Sequence, residues 1–250
     1  MLKDMGAKIE NIKLIVISHM HADHVCGLVA LLDYMRSVNL FADLKIIGPE
    51  GLFEYIASIF EFAGYDTAQL STIVNEIKFN FEHICVGESG AGTQLEKISL
   101  EQFGLAISAF PIKHAVPAIG YLLEFAELTF LIIFDFDAAK TVVPKLECDR
   151  RCTLFCECTF SDECYARLDE NYGHSCPRLI REFIQQFNAE QKLQIEKVVL
   201  NHFSARWGCV SGFPEPQKLD FAAVGHRAQH EIQMNIPVLC AEQMGFAELE

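Results

Sequence analysis

Ser18-His19-Met20-His21-Ala22-Asp23-His24 places three imidazoles and a carboxylate within six residues, directly after the apolar run Leu14-Ile15-Val16-Ile17. A buried strand that breaks into a helix aims the side chains at its end into one small space. Imidazole nitrogen and carboxylate oxygen are the donors that Zn²⁺ and similar borderline metals take. Two ions need about twice the ligands of one, and so dense a cluster points to a two-metal site. The pattern is H-x-H-x-D-H.

Working outward, strand and helix patterns alternate along the chain. Lys13 to Ser18 reads as a strand and Gly27 to Val38 as an amphipathic helix. Leu44 to Gly48 is a second strand, and Leu52 to Phe62 a second helix. Ile77 to Phe81 and Leu105 to Ile112 read as extended, and Ile119 to Phe125 with Leu128 to Phe134 as a hairpin. A helix is expected over Ala138 to Leu146, a strand over Thr153 to Cys158, a helix over Pro177 to Phe187, and strands over Lys197 to Asn201 and Pro237 to Cys240. The polar stretch Gly87 to Gln94 reads as a loop. This is α/β order in a single domain, 1–250, with candidate ligands at strand ends: His114 after Ile112-Lys113, Asp137 after Phe134-Asp135-Phe136, and His202 after Asn201.

Composition bounds the function classes. Hydrophobic residues make up 51% and charged ones 22%, so the chain folds rather than stays disordered. No apolar run reaches the length of a membrane span and no signal-peptide core opens the chain, which implies a cytoplasmic or other intracellular protein. The ten cysteines fit as reduced thiols. Those at 148, 152, 156, 158 and 164 lack the paired spacing of a structural zinc site. A net charge of −14 opposes a simple polyanion-binding surface.

The H-x-H-x-D-H motif, followed by a histidine, an aspartate and a last histidine, resembles the metallo-β-lactamase-fold hydrolases. The resemblance implies an αββα sandwich, two mixed β-sheets flanked by helices. It also implies two metal ions, zinc with manganese as the alternative. One would be held by His19, His21 and His114, the other by Asp23, His24 and His202, with Asp137 bridging. The Asp135-Phe136-Asp137-Ala138 segment departs from the family's usual Ser-Gly-Asp-Thr turn, and Asp135, two residues earlier, stands as the substitute.

Three further segments resemble ribonuclease Z, the endonuclease that removes 3′ trailers from precursor tRNA. Cys156-Glu157-Cys158-Thr159 is similar to its His-Glu-Ala-Thr motif and His174-Ser175-Cys176 to its His-Ser-Thr loop. Asn201-His202-Phe203-Ser204-Ala205-Arg206-Trp207 is similar to its His-Phe-Ser-x-Arg-Tyr. The resemblance gives Glu157 and His174 proton transfer, and Asp23 the orienting of the attacking hydroxide as well as a metal. Only 22 residues separate His114 from Asp137, so the family's tRNA-clamping arm is not expected between them. The motif starts earlier than in most members, which implies absent N-terminal strands. The expected partners are therefore precursor tRNA gripped with the help of a homodimer mate or a separate N-terminal half, or alternatively a small phosphodiester such as a cyclic nucleotide.

Overall fold

The computed structural model describes residues 8–41, 43–78, 95–168, 172–204, 221–232 and 234–240. These gather into two compact units, one of residues 8–78 and 116–119, the other of 95–115 and 120–240.

The first unit runs β1 (Leu14–Val16), α1 (Ala22–Ser37), β2 (Lys45–Pro49), α2 (Leu52–Phe62), α3 (Leu70–Ile73) and β3 (Val74–Ile77). Its three strands form a parallel sheet in the order β1-β2-β3, Val16 opposite Ile47 and Ile46 opposite Val74. Parallel neighbours need crossovers, and the helices supply them. Val25, Leu28, Leu32 and Met35 make the buried stripe of α1 at three- and four-residue steps. They join Leu44, Ile46, Leu52, Ile56 and Phe60 in one core. Gly48 in β2 lets the strand pack closely, since a Cβ there would meet Leu52 Cδ2 at 2.5 Å and Ile17 Cβ at 3.1 Å and these side chains would have to shift.

The second unit carries β4 (Glu96–Leu100), β5 (Leu105–Ile112), β6 (Ala118–Glu124, its first two residues grouping with the other unit) and β7 (Thr129–Ile133). There follow β8 (Arg151–Glu157), α4 (Asp162–Tyr165), α5 (Pro177–Glu190), β9 (Gln194–Asn201), α6 (Phe221–Ile232) and β10 (Val238–Cys240). The seven strands lie in the order β10-β9-β8-β7-β6-β5-β4. The β4/β5 and β6/β7 pairs are antiparallel, whereas β7, β8, β9 and β10 run parallel. Pro177 opens α5 at a position where its missing N–H costs nothing. Leu179, Ile180, Phe183, Ile184 and Phe187 then form the helix's buried face.

The helix expected over 138–146 is absent. A turn at 138–140 gives way to irregular chain, because Pro144 disfavours helix at Val143 and offers no N–H of its own. Gln191 satisfies this run instead, accepting from Leu146 N–H and donating to the Pro144 carbonyl. The ladder of β3 is Val74–Ile77, so the strand begins earlier than its hydropathy indicates, and residues 79–81 of the expected stretch lie outside the described residues. The expected loop at 87–94 and the Ala205-Arg206-Trp207 segment lie outside the described residues.

Candidate metal centre

In the first unit the histidine motif straddles a strand end and a helix start. Ile17 N–H still bonds the Ile47 carbonyl at 2.8 Å, which holds the chain in register one residue past β1. Ser18 and His19 are buried, His21 is the extended residue that precedes α1, and Asp23 and His24 fall in the first turn. Ser18 Oγ lies 3.0 Å from His19 Nδ1, and His19 Nε2 lies 3.0 Å from His21 Nδ1. Two nitrogens bound to one tetrahedral ion at about 2.0–2.1 Å stand a little over 3 Å apart, so the spacing of this pair suits joint ligation. The His24 ring centroid is 4.1 Å from that of His19, and His24 Nε2 is 3.7 Å from Asp23 Oδ2. All four donors predicted for this stretch come together. Asp23 at the helix N-terminus also complements the dipole there.

In the second unit the parallel strands end at one edge, and the chemistry sits just beyond it. Asp135 follows β7, Glu157 ends β8 and His202 follows β9. Asp135 is buried, with Oδ2 3.9 Å from His114 Nε2 and 3.5 Å from His202 Nε2. Asp135 (φ 28°) and His202 (φ 54°) both hold left-handed backbone, a conformation that non-glycine residues keep only where their surroundings enforce it. His114 is held from behind, its Nδ1 2.9 Å from the Gly173 carbonyl.

Asp137 is equally buried and turns elsewhere. Its Oδ1 accepts from Ala139 N–H at 3.1 Å and its Oδ2 lies 2.9 Å from Lys140 Nζ, a pairing that raises the lysine's pKa. Asp135, the substitute that the sequence left open, is the carboxylate that faces His114 and His202.

Glu157 is wholly buried and receives four donors, the full acceptor capacity of a carboxylate. Phe136 N–H (2.6 Å) and His174 Nδ1 (3.0 Å) approach Oε1; Thr159 N–H (3.2 Å) and the Thr159 hydroxyl approach Oε2. His174 stacks on His202 with ring centroids 5.3 Å apart. Glu157, His174 and His202 also offer donor atoms within 4.8 Å of one another. Ser175 braces the aspartate loop, its Oγ accepting from Ala138 N–H at 2.9 Å and donating to the Phe136 carbonyl. Thr159 and Ser175 received no role from the sequence, although both stand inside the quoted motifs.

The cysteines at 148, 152, 156, 158 and 176 are buried, in no disulfide, and not members of these donor groups. Burial pushes Cys148 up to about 11 and Cys152 and Cys176 up to about 12.

Comparison with known proteins gives a consistent picture. A family model described as the beta-lactamase superfamily domain matches residues 2–203. A protein named Ribonuclease Z from Agathobacter rectalis is 32% identical over 123 residues, 49% of this chain and 35% of that relative. Another of that name from Clostridioides difficile is 32% identical over 146 residues, 58% of this chain and 41% of the relative. The matched region thus spans between about a third and two fifths of these relatives' length. Human tRNase Z, short form, superposes with a TM-score of 0.61 at 24% identity, over 82% of this chain and 77% of that one. A long-form RNase Z from yeast gives a TM-score of 0.54 at 17% identity, over 87% of this chain and 31% of that one. These two structures share the fold.

Proposed function

The chain belongs to the beta-lactamase superfamily, and from that membership we propose that it is a metal-dependent phosphodiesterase that hydrolyses 3′ trailers from precursor tRNA. The observation that carries this reading is the pair of buried Glu157 and half-buried His174 standing beside His202, in segments similar to ribonuclease Z. A carboxylate-backed imidazole next to metal-type donors suits a reaction that needs both an activated water and an acid for the leaving oxygen.

The donor chemistry fits divalent cations. His19, His21 and His114 would hold one ion and Asp23, His24 and His202 the other, with Asp135 in the shared position in place of Asp137. Two zinc ions are the proposed complement, with manganese the alternative. When bound, such ions supply a water that ionises near neutral pH and neutralise charge on the phosphate.

The chain's own residues do the remainder. Asp23 accepts a hydrogen bond from the attacking water and points its lone pair at phosphorus. His174, its Nδ1–H donated to Glu157 Oε1, presents Nε2 to the departing ribose oxygen. In its protonated form His174 releases the Nε2 proton to that oxygen as the P–O bond breaks, while Glu157 keeps the ring oriented through Nδ1. Precursor tRNA needs a gripping surface, which a second copy of this chain or an N-terminal half would provide.

A second reading, a hydrolase of small phosphodiesters, is favoured by the net charge of −14. The two separate by assaying a precursor tRNA with a 3′ trailer beside bis(p-nitrophenyl) phosphate, with metal-replete protein and a His21→Ala control. Cleavage of both, lost in the control, supports the tRNA reading. Cleavage of the small ester alone supports the second.

A further inference from the structure

We propose that Thr159 is a positioning residue that fixes the tautomer of His202, its hydroxyl passing the negative charge of Glu157 on to the imidazole. The inference rests on the reading of His202 as a metal ligand and names the group that prepares it for that role.

Thr159 is 5% exposed and clamped by its backbone. Its N–H donates to Glu157 Oε2, its carbonyl accepts from Ser204 N–H at 3.0 Å, and the preceding Cys158 N–H bonds the Asn201 carbonyl at 2.9 Å. Its Oγ1 therefore sits at a set point between the ends of β8 and β9. Around that oxygen lie Glu157 Oε2, His202 Nδ1 at 2.9 Å, the His202 carbonyl at 3.1 Å and His174 Nδ1 at 3.2 Å. The β-branched side chain has few rotamers with which to leave this arrangement.

A hydroxyl has one proton to give and two lone pairs to receive with. A charged acceptor takes that proton in preference to a neutral one, since charge-assisted bonds are about twice as strong. The proton therefore goes to Glu157. His174 Nδ1 is nearer to Glu157 Oε1 (3.0 Å) than to Oγ1, so its N–H goes to the carboxylate too. The donor remaining for the Oγ1 lone pairs is Nδ1–H of His202. Placing the proton on Nδ1 makes Nε2 a lone-pair nitrogen, and Nε2 is the atom 3.5 Å from Asp135 Oδ2. An imidazole lone pair and a carboxylate oxygen at that distance suit one shared cation. With the opposite tautomer, an N–H would point at the carboxylate and the ligand atom would be lost.

The test reads the tautomer directly. In metal-free, ¹⁵N-histidine-labelled protein, long-range ¹H–¹⁵N correlation spectra distinguish Nδ1–H from Nε2–H, with His202→Gln assigning the signal. The expected result is Nδ1–H in the unsubstituted protein and in Thr159→Ser, and a shift toward Nε2–H in Thr159→Val and Thr159→Ala. Titration with Zn²⁺ alone should show affinity about 10- to 100-fold weaker in the Val and Ala variants, recovered in Thr159→Ser. An Nε2–H tautomer in the unsubstituted protein overturns the proposal, whether or not either variant folds. Unchanged tautomer and Zn²⁺ affinity in a folded Val or Ala variant overturns it equally. Since no substrate enters these readouts, they stand apart from failure of the phosphodiesterase reading, which only the cleavage assays address.

Discussion

Glu157 lies directly across from Asn201 at the final register position of β8 and β9, so the carboxylate leaves one strand at the level where His202 leaves the next. Strand register, set by ladder hydrogen bonds far from any chemistry, therefore decides which acid and which base become neighbours. One residue of slip would turn Glu157 to the other face of the sheet.

Glu157→Gln replaces half of an acceptor pair with an amide that itself donates, facing donors from Phe136, His174 and Thr159. Each buried donor left without an acceptor costs about 1–3 kcal/mol. The expected outcome is a lower urea midpoint together with a lower kcat, whereas a change confined to the surface would leave both intact.

His174→Ala should distinguish substrates by their leaving groups. Loss of a general acid lowers the rate by about 10²- to 10⁴-fold where the departing oxygen needs a proton. A ribose oxygen needs one and p-nitrophenolate does not. Cleavage of RNA should fall by that factor while bis(p-nitrophenyl) phosphate is affected far less; equal losses on the two substrates would deny His174 the acid's role.

Asp135→Asn and Asp137→Asn should separate sharply. Asp135 faces His114 and His202, so its amide variant should lose bound metal by elemental analysis, and with it at least about 10²-fold in kcat. Asp137→Asn keeps an oxygen for Ala139 N–H and weakens the pairing with exposed Lys140. Its metal content should match that of the unsubstituted chain.

Gly173→Ala tests the support behind His114. Gly173 has φ 74°, and a Cβ there would stand 2.7 Å from Ala115 N and 3.0 Å from His114 Cα. Left-handed backbone alone costs an alanine about 1–2 kcal/mol, and the obstruction is backbone that cannot rotate away. Thermal melting should drop, and metal affinity should weaken as the 114–115 segment shifts.

The buried thiols predict an alkaline limit to stability. Cys152 and Cys176 titrate at about 12 when folded, against a reference of 9.0, because burial penalises the thiolate. The unfolded chain loses these protons first, so the stabilisation is full below about pH 9 and declines as pH rises toward the folded values. Urea midpoints should be flat from neutrality to that point and fall above it, and Cys152→Ala should make the fall shallower.

Much of this arrangement is legible in the chain itself, and what is not has identifiable causes. The His19-to-His24 cluster is dense enough to single out, with the later strand-end residues as its context, and the Leu52–Phe62 helix matches its hydropathy to the residue. The difference between Asp135 and Asp137 is less legible. Two residues on a strand share a face, but φ 28° at Asp135 breaks that alternation and turns the two carboxylates to different neighbours. Thr159 escaped because its partners His174 and His202 stand 15 and 43 residues away. The helix-like Ala138-Ala139-Lys140 opening was overruled by Pro144 downstream. That residues 116–119 group with the first unit is a matter of long-range packing that no local pattern encodes.

The left-handed backbone at Asp135 and His202 bears on how this lineage can drift. Among non-glycine residues, aspartate, asparagine and histidine are those that most readily accept such a backbone, so asparagine is the replacement that least disturbs either turn. Each aspartate or histidine codon lies one nucleotide from an asparagine codon, yet an amide is a poor substitute for either side chain in the proposed ligand role. Inactive descendants should therefore arise readily and persist as well-folded proteins, recognisable by asparagine at these two positions.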